Sequence, residues 1–178
     1  MRIIGGRYKG KSIFPPENFK ARPTTDFAKE GLFNVLANEI DFEELTVLDL
    51  FSGTGSISYE FSSRGCRSVT SVEMNTNHFR FIKESSKKLG LTQIQPLRMN
   101  VFDFLGICKI KYDVVFADPP FDLDGFSTIP EKILEKDIIN EGGYLIMEHS
   151  GDYDFSQNSR FLKEKKYGNV HFSFFKAK

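Results

Sequence analysis

The stretch from Val47 to Gly55, VLDLFSGTG, constrains the fold of this chain more than any other. Its apolar residues, interrupted only by Asp49, read as an interior strand, and Gly53 and Gly55 let the backbone turn sharply into a helix that begins near Ser56. Such a turn presents bare main-chain N–H groups at a helix start, an arrangement that favours carboxylate or phosphate groups. A buried strand that feeds directly into a helix is the first half of a βαβ unit, so the feature calls for a parallel sheet.

Two ligand classes compete for this loop. The dinucleotide fingerprint G-x-G-x-x-G asks for a third glycine where Ser58 stands, although Glu73 lies about twenty residues on, where that fingerprint wants an acid. S-adenosylmethionine asks instead for room for a zwitterionic amino acid end, an acid near its ammonium and a second acid for the ribose hydroxyls. Asp49 and Glu73 supply both acids. In the structural alternative Asp49 caps the strand end and Glu73 is a solvated strand terminus.

The rest of the chain alternates in the same way. RPTTD, residues 22 to 26, introduces a helix that Thr24 or Thr25 caps, with Phe27, Ala28, Leu32, Val35 and Leu36 as its core stripe. After the glycine loop, Ser56 to Arg64 is a helix stopped by Gly65 and Val69 to Val72 is a second strand ending at Glu73. A helix from Thr76 to Leu89, a weaker strand over 94 to 101 broken by Pro96, and a fourth strand from Asp113 to Ala117 follow. Helix signals return at Ile129 to Ile139, Tyr144 to Glu148 is a fifth strand, and Leu162 to Phe174 alternates as a hairpin around Tyr167-Gly168-Asn169. The expected architecture is therefore a doubly wound, mostly parallel α/β sheet in a single domain over 1–178, with ligand at the carboxyl ends of the strands. Asp49, Glu73, Asp118 and Asn100 stand at four such ends.

Length and charge narrow the function classes. The 178 residues, 40% of them hydrophobic, suffice for one core. Two cysteines, Cys66 and Cys108, lie in no short pattern, so neither a disulfide scaffold nor a metal site is indicated, and a reducing cytoplasm fits. No signal peptide or membrane span is legible. Charge is balanced overall but unevenly placed: residues 1 to 22 hold six basic side chains and one acid, as do residues 160 to 178, whereas 113 to 154 hold eleven acids and two lysines. That separation suits a nucleic-acid face beside an acidic site, and solvated termini are the plainer explanation. Within RIIGGRYKGKSIF, Arg7, Lys9 and Lys11 alternate, so as a pliant strand or small hairpin they share one face and suit phosphate contacts; Arg22 enters the first helix nearby.

Asp118-Pro119-Pro120-Phe121 is the second informative motif. Two prolines hold the Asp118 carboxylate and the Pro119 carbonyl in a stiff turn, and two rigid acceptors match the two N–H donors of a planar amino group, with Phe121 placed to stack on a base. The structural alternative is a strand-ending turn with one buried aromatic.

With these motifs together, the chain resembles the RsmD-type small-subunit ribosomal RNA guanine-N2 methyltransferases. The likeness rests on RIIGGRYKG, RPTTD with its helix, LDLFSGTGSISYEFSSRG, Glu73, DVVFADPPF, GGYLIMEH and the terminal YGN hairpin. It implies a seven-stranded Rossmann-like class I methyltransferase fold with a basic N-terminal extension over residues 1–22, S-adenosylmethionine as donor and a guanosine of small-subunit rRNA as acceptor. It further implies that Asp49, Phe51, Gly53, Gly55, Glu73, Met74, Asn100 and Val101 hold the cofactor, Glu73 at the ribose and 100 and 101 at the adenine. Asn100 departs from the aspartate that relatives commonly carry. Asp118 would orient the amino group in a transfer that needs no metal, on a base turned out of its stack and clamped by Phe121. A monomer acting on a large particle is the expected assembly. The competing functions are methylation of adenine or of a protein glutamine, and a non-catalytic RNA-binding assembly module.

Overall fold

The computed structural model describes residues 1–19 and 24–177. Among them, β1 (Thr46–Leu50), β2 (Ser68–Val72), β3 (Ile94–Leu97), β4 (Tyr112–Ala117), β5 (Ile139–His149), β6 (Phe161–Tyr167) and β7 (Val170–Lys176) form one sheet in the order β3-β2-β1-β4-β5-β7-β6. The first five strands run parallel; β7 enters antiparallel beside β5 and β6 pairs outside it. The order reverses direction at β1 and β4, the switch point where such sheets open a crevice for ligand.

The helices α1 (Asp26–Ala37), α2 (Ser56–Ser63) and α3 (Thr76–Leu89) cover one face of the sheet, and α4 (Val101–Ile107) and α5 (Ile129–Leu134) cover the other. Alternation along each strand assigns the residues: Val47, Val69, Val114, Phe116, Ile146, Phe172 and Phe174 pack under the first group. Leu48, Leu50, Val72, Val115, Ala117, Leu145, Met147 and Phe175 pack under the second. Strands buried on both faces must be apolar nearly throughout, as VLDL and DVVFA are. Asp49 shares the first face, so its carboxyl is carried into the core and needs a reason to be there.

Local signals behave as the residues dictate. The Thr25 hydroxyl accepts from the Ala28 N–H at 3.2 Å to start α1, and Asn75 accepts from Asn77 N and His78 N to start α3. Four expectations need correction. Phe27 is 67% exposed, because α1 buries Ala28, Leu32, Phe33 and Leu36, a stripe centred on nearly the opposite side of the helix. The third strand ends at Leu97, and Asn100 caps α4 in place of continuing the sheet. The helix after Ile129 stops at Leu134, since Ile138 and Ile139 are recruited to pair with Tyr112 and lengthen β5. An apolar run of that length does not by itself distinguish helix from strand.

The fourth correction concerns the N-terminal segment. Arg7 to Gly10 form consecutive turns closed by a single bridge, Arg2 to Ser12, so Arg7, Lys9 and Lys11 do not alternate along a strand, although all three are exposed. Nor is the segment pliant. Arg7 N donates to Ser63 O at 2.7 Å, the Ser63 hydroxyl donates to Gly5 O at 2.6 Å, and Ile4 N donates to the buried Glu60 carboxylate at 2.8 Å. Lys29, fully buried, bridges Glu60 and the Arg2 carbonyl, and Arg64 pairs with the other Glu60 oxygen. Gly6, at φ +73°, passes so close to α2 that a Cβ there would lie 1.9 Å from Ser63 O. Gly5 and Gly6 serve close approach, bolting the extension to the end of α2.

Candidate active site

Four acids gather at the carboxyl ends of β2, β1, β4 and β5: Glu73, Asp49, Asp118 and Glu148, on the sheet face covered by α1 to α3. Three were singled out by the sequence. Glu148 was not, although it ends a strand just as the others do, and that shared position was the signal for it.

The glycine loop sits between two of them. Phe51 leaves β1 with φ +59°, an uncommon conformation for a bulky residue, and Gly55 at φ +82° opens α2. A Cβ on Gly55 would meet the Tyr59 ring at 2.9 Å and Ile82 at 3.0 Å, so both the backbone angle and the packing exclude a side chain. Glu73 braces the loop from β2: Gly53 N donates to its Oε2 at 2.8 Å and Asn75 N donates to its Oε1 at 2.7 Å. Each carboxylate oxygen keeps a further lone pair.

Asp49 lies beneath the same loop, 1% exposed, and accepts from the Ser58 hydroxyl at 2.5 Å. Because that hydroxyl has one proton, the Ser71 hydroxyl, 2.5 Å away, donates to Ser58 when Asp49 is ionised. The residue that breaks the dinucleotide fingerprint is therefore the one that holds the buried acid. Burial pushes the Asp49 carboxyl up to about 7 against the lowering effect of Ser58. Glu148, 5% exposed, accepts from the Thr24 hydroxyl at 2.8 Å and is likewise pushed up to about 7 by burial.

Asp118 follows β4, its N–H donating to Leu50 O at 3.3 Å across to β1. Burial first, and then the like charges of Glu148 and Asp49, hold its carboxyl well above the usual carboxylate range. Pro119 is buried, and Phe121 is 47% exposed with its ring edge-on to Phe126 at 6.0 Å. Its carbonyl accepts from the Tyr153 hydroxyl at 3.1 Å, and Tyr153 stacks on Phe126 at 4.1 Å, so the stretch following β5 props the turn from behind. Sequence spacing carried no hint of Tyr153.

The other singled-out residues fall less uniformly. Met74 is 66% exposed beside Glu73, and Val101 is buried at the start of α4. The Asn100 side-chain oxygen accepts from Phe102 N at 2.8 Å and Asp103 N at 3.4 Å, so it is engaged as a helix cap. Arg7, Lys9 and Lys11 project from the extension, and Arg22 lies outside the described residues. A surface hollow of about 590 Å³ lies elsewhere, between Ala37–Glu43 and Arg64 near the amino end of β1, where this architecture places no ligand.

The donor set suits S-adenosylmethionine. A dicarboxylate environment meets a ligand with two positive centres, Glu73 offers free lone pairs to vicinal hydroxyls, and the first turn of α2 offers main-chain N–H groups to a carboxylate. Among the described residues the buried hydroxyl of Ser56, at the start of that turn, has no hydrogen-bond partner. Fold and site define a Rossmann-like class I S-adenosylmethionine-dependent methyltransferase.

Known proteins place the chain within that class. It belongs to the family described as Conserved hypothetical protein 95, whose model matches residues 1–176, and it is an RsmD-type methyltransferase. It is 28% identical over 179 residues to ribosomal RNA small subunit methyltransferase D of Buchnera aphidicola, covering 98% of this chain and 91% of that one. To the Escherichia coli protein of the same name it is 33% identical over 121 residues, 68% of this chain and 60% of the relative. Among solved structures, Escherichia coli yhhF, described as a methyltransferase, superposes with a TM-score of 0.83 at 26% identity, covering 100% and 98% of the two chains. No helix among the described residues is long and apolar enough to cross a membrane.

Proposed function

We propose that the chain, a cytoplasmic monomer working as one methyltransferase unit, transfers a methyl group from S-adenosylmethionine to the exocyclic N2 of a guanosine in small-subunit rRNA. The observation that carries this reading is Asp118, held in a proline turn between the buried carboxyls of Asp49 and Glu148, one strand from the glycine loop. Likeness over nearly the full length to relatives named for the small ribosomal subunit supports the substrate class.

S-adenosylmethionine, when bound, supplies an electrophilic methyl carbon on a positively charged sulfur. Burial raises the proton affinity of Asp49, Asp118 and Glu148, the charges of Glu148 and Asp49 raise it further at Asp118, and positive charge entering the site favours the ionised carboxylates. An ionised Asp118 carboxylate and the Pro119 carbonyl then accept the two N–H bonds of the amino group and fix its nitrogen for in-line attack. Glu73 accepts from the ribose hydroxyls, with Phe51, Met74, Asn100 and Val101 bordering the adenine. Asp49, sealed below the loop, contributes charge and the position of α2 instead of direct contact. Exposed Phe121, buttressed by Tyr153, stacks on a base turned out of the RNA. Arg7, Lys9, Lys11 and Arg22 take phosphates and so set position without reading sequence.

The test is incubation of the protein with labelled donor and small subunits that lack the modification, followed by nucleoside analysis. Label in N2-methylguanosine, absent with Asp118→Ala although that variant still binds S-adenosylhomocysteine, is the expected result. Label in N6-methyladenosine or in protein would refute the assignment.

A further inference from the structure

We propose that His149, Glu164 and His171 bind one divalent transition-metal ion of the Zn²⁺ type, on the sheet face opposite the acids. The three residues come from adjacent strands. His149 on β5 and His171 on β7 are direct antiparallel partners, and Glu164 on β6 faces Ser173, two residues along, so all three side chains share a face. Their ligating atoms lie within 4.8 Å of one another. Glu164 Oε1 is 3.0 Å from His171 Nδ1 and 3.8 Å from His149 Nε2. A tetrahedral ion with ligands at about 2.0–2.2 Å sets them about 3.3–3.6 Å apart, so side-chain rotation closes the set without moving the strands.

The surroundings orient the ligands as metal sites require. A carbonyl only accepts, so the 2.7 Å contact from His149 Nδ1 to Ser150 O puts the proton on Nδ1 and leaves the Nε2 lone pair facing the cluster. Nε2 now accepts from the Ser173 hydroxyl at 2.8 Å, a partner that turns aside for an ion. Lys166 Nζ holds Glu164 Oε2 at 3.1 Å, fixing the carboxylate with Oε1 toward the imidazoles. His171 Nδ1 now donates to Glu164, and on binding that proton moves to Nε2. Gly151 passes over the His171 ring so closely that a Cβ would lie 3.1 Å from Cε1. The His171 and Glu164 side chains are 12% and 23% exposed, which leaves an approach for the ion and for a water in the fourth position. Two imidazoles and one carboxylate favour Zn²⁺, Co²⁺ or Fe²⁺ over Mg²⁺ and Ca²⁺, which prefer an all-oxygen shell.

The ion would join three strands. It ties β5, β6 and β7 together beneath the 150–155 segment, where Phe155 lies edge-on to His149 at 5.0 Å and Tyr153 holds Phe121. The cysteine pattern could not reveal it, because its ligands meet only through strand pairing.

The experiment uses the full chain without a histidine tag, stripped with chelator, then titrated with Zn²⁺ by calorimetry and with Co²⁺ by visible absorption. One ion per chain is expected, with affinity lowered by about tenfold or more in both Glu164→Gln and His171→Ala. Zn²⁺ should raise the melting temperature of the parent and leave both variants unchanged, their circular dichroism in chelator matching the parent. Absence of binding in the millimolar range, or binding unaltered in both variants, overturns the proposal.

Discussion

Replacing Asp49 by asparagine should stabilise the protein at neutral pH while impairing it as an enzyme. In the folded chain burial holds this carboxyl near 7, against the 3.8 of an exposed aspartate. A group whose folded pKa is raised favours folding fully only below its unfolded pKa, and that advantage is lost as pH rises through the folded value; here the window runs from about 4 to about 7. Worked through linkage, burying the Asp49 carboxyl costs the folded state about 2 kcal/mol at pH 5 and about 4 kcal/mol at pH 8. Asparagine keeps an acceptor for Ser58 and carries no charge, so the difference in stability between variant and parent should widen by about 2–3 kcal/mol between those two pH values. Urea unfolding of both proteins at pH 5 and pH 8, with equal m-values, measures it. Groups remote from Asp49 titrate alike in the two proteins and cancel, while Asp118, relieved of the Asp49 charge in the variant, shifts in the sense that adds to the widening. A stability gap that stays the same at both pH values would refute the reasoning. Weaker cofactor binding in the more stable variant would mark the buried charge as a feature kept for function at the expense of stability.

Glu73→Gln should weaken binding of S-adenosylhomocysteine by about tenfold or more, since the amide offers one acceptor where Gly53 N and Asn75 N need two and sets donor against donor; calorimetric affinity equal to the parent's would remove Glu73 from the site. Neutralising Arg7, Lys9 and Lys11 together should lower the slope of log affinity for RNA against log salt by about 2, as each phosphate contact contributes about 0.7–0.9. An unchanged slope would make these three residues solvated surface.

The glycine loop, the alternation of strands and helices, and the proline turn were legible because each is a local matter of backbone freedom and hydrophobic period. Asn75 before α3 and Gly90 after it show how far such signals go: both helix ends fall where the residues placed them. Arg7, Lys9 and Lys11 show where they stop. Their alternation is real in the chain, but Ser63 and Glu60, more than fifty residues away, take the backbone partners that a strand would need, and the segment turns instead.

By itself the sequence determined most of the strands and helices and three of the four acids that end the strands, since those follow from neighbours in the chain. Only the tertiary structure decided that Glu148 stands beside Asp118, that Thr24 and Tyr153 hold the site from outside it, and that His149 meets His171 and Glu164. The physical reason is common to all of these. Strand order and register bring distant side chains to one edge of the sheet, and burial there changes what a carboxyl or an imidazole can do; neither is a property of any stretch of chain taken alone.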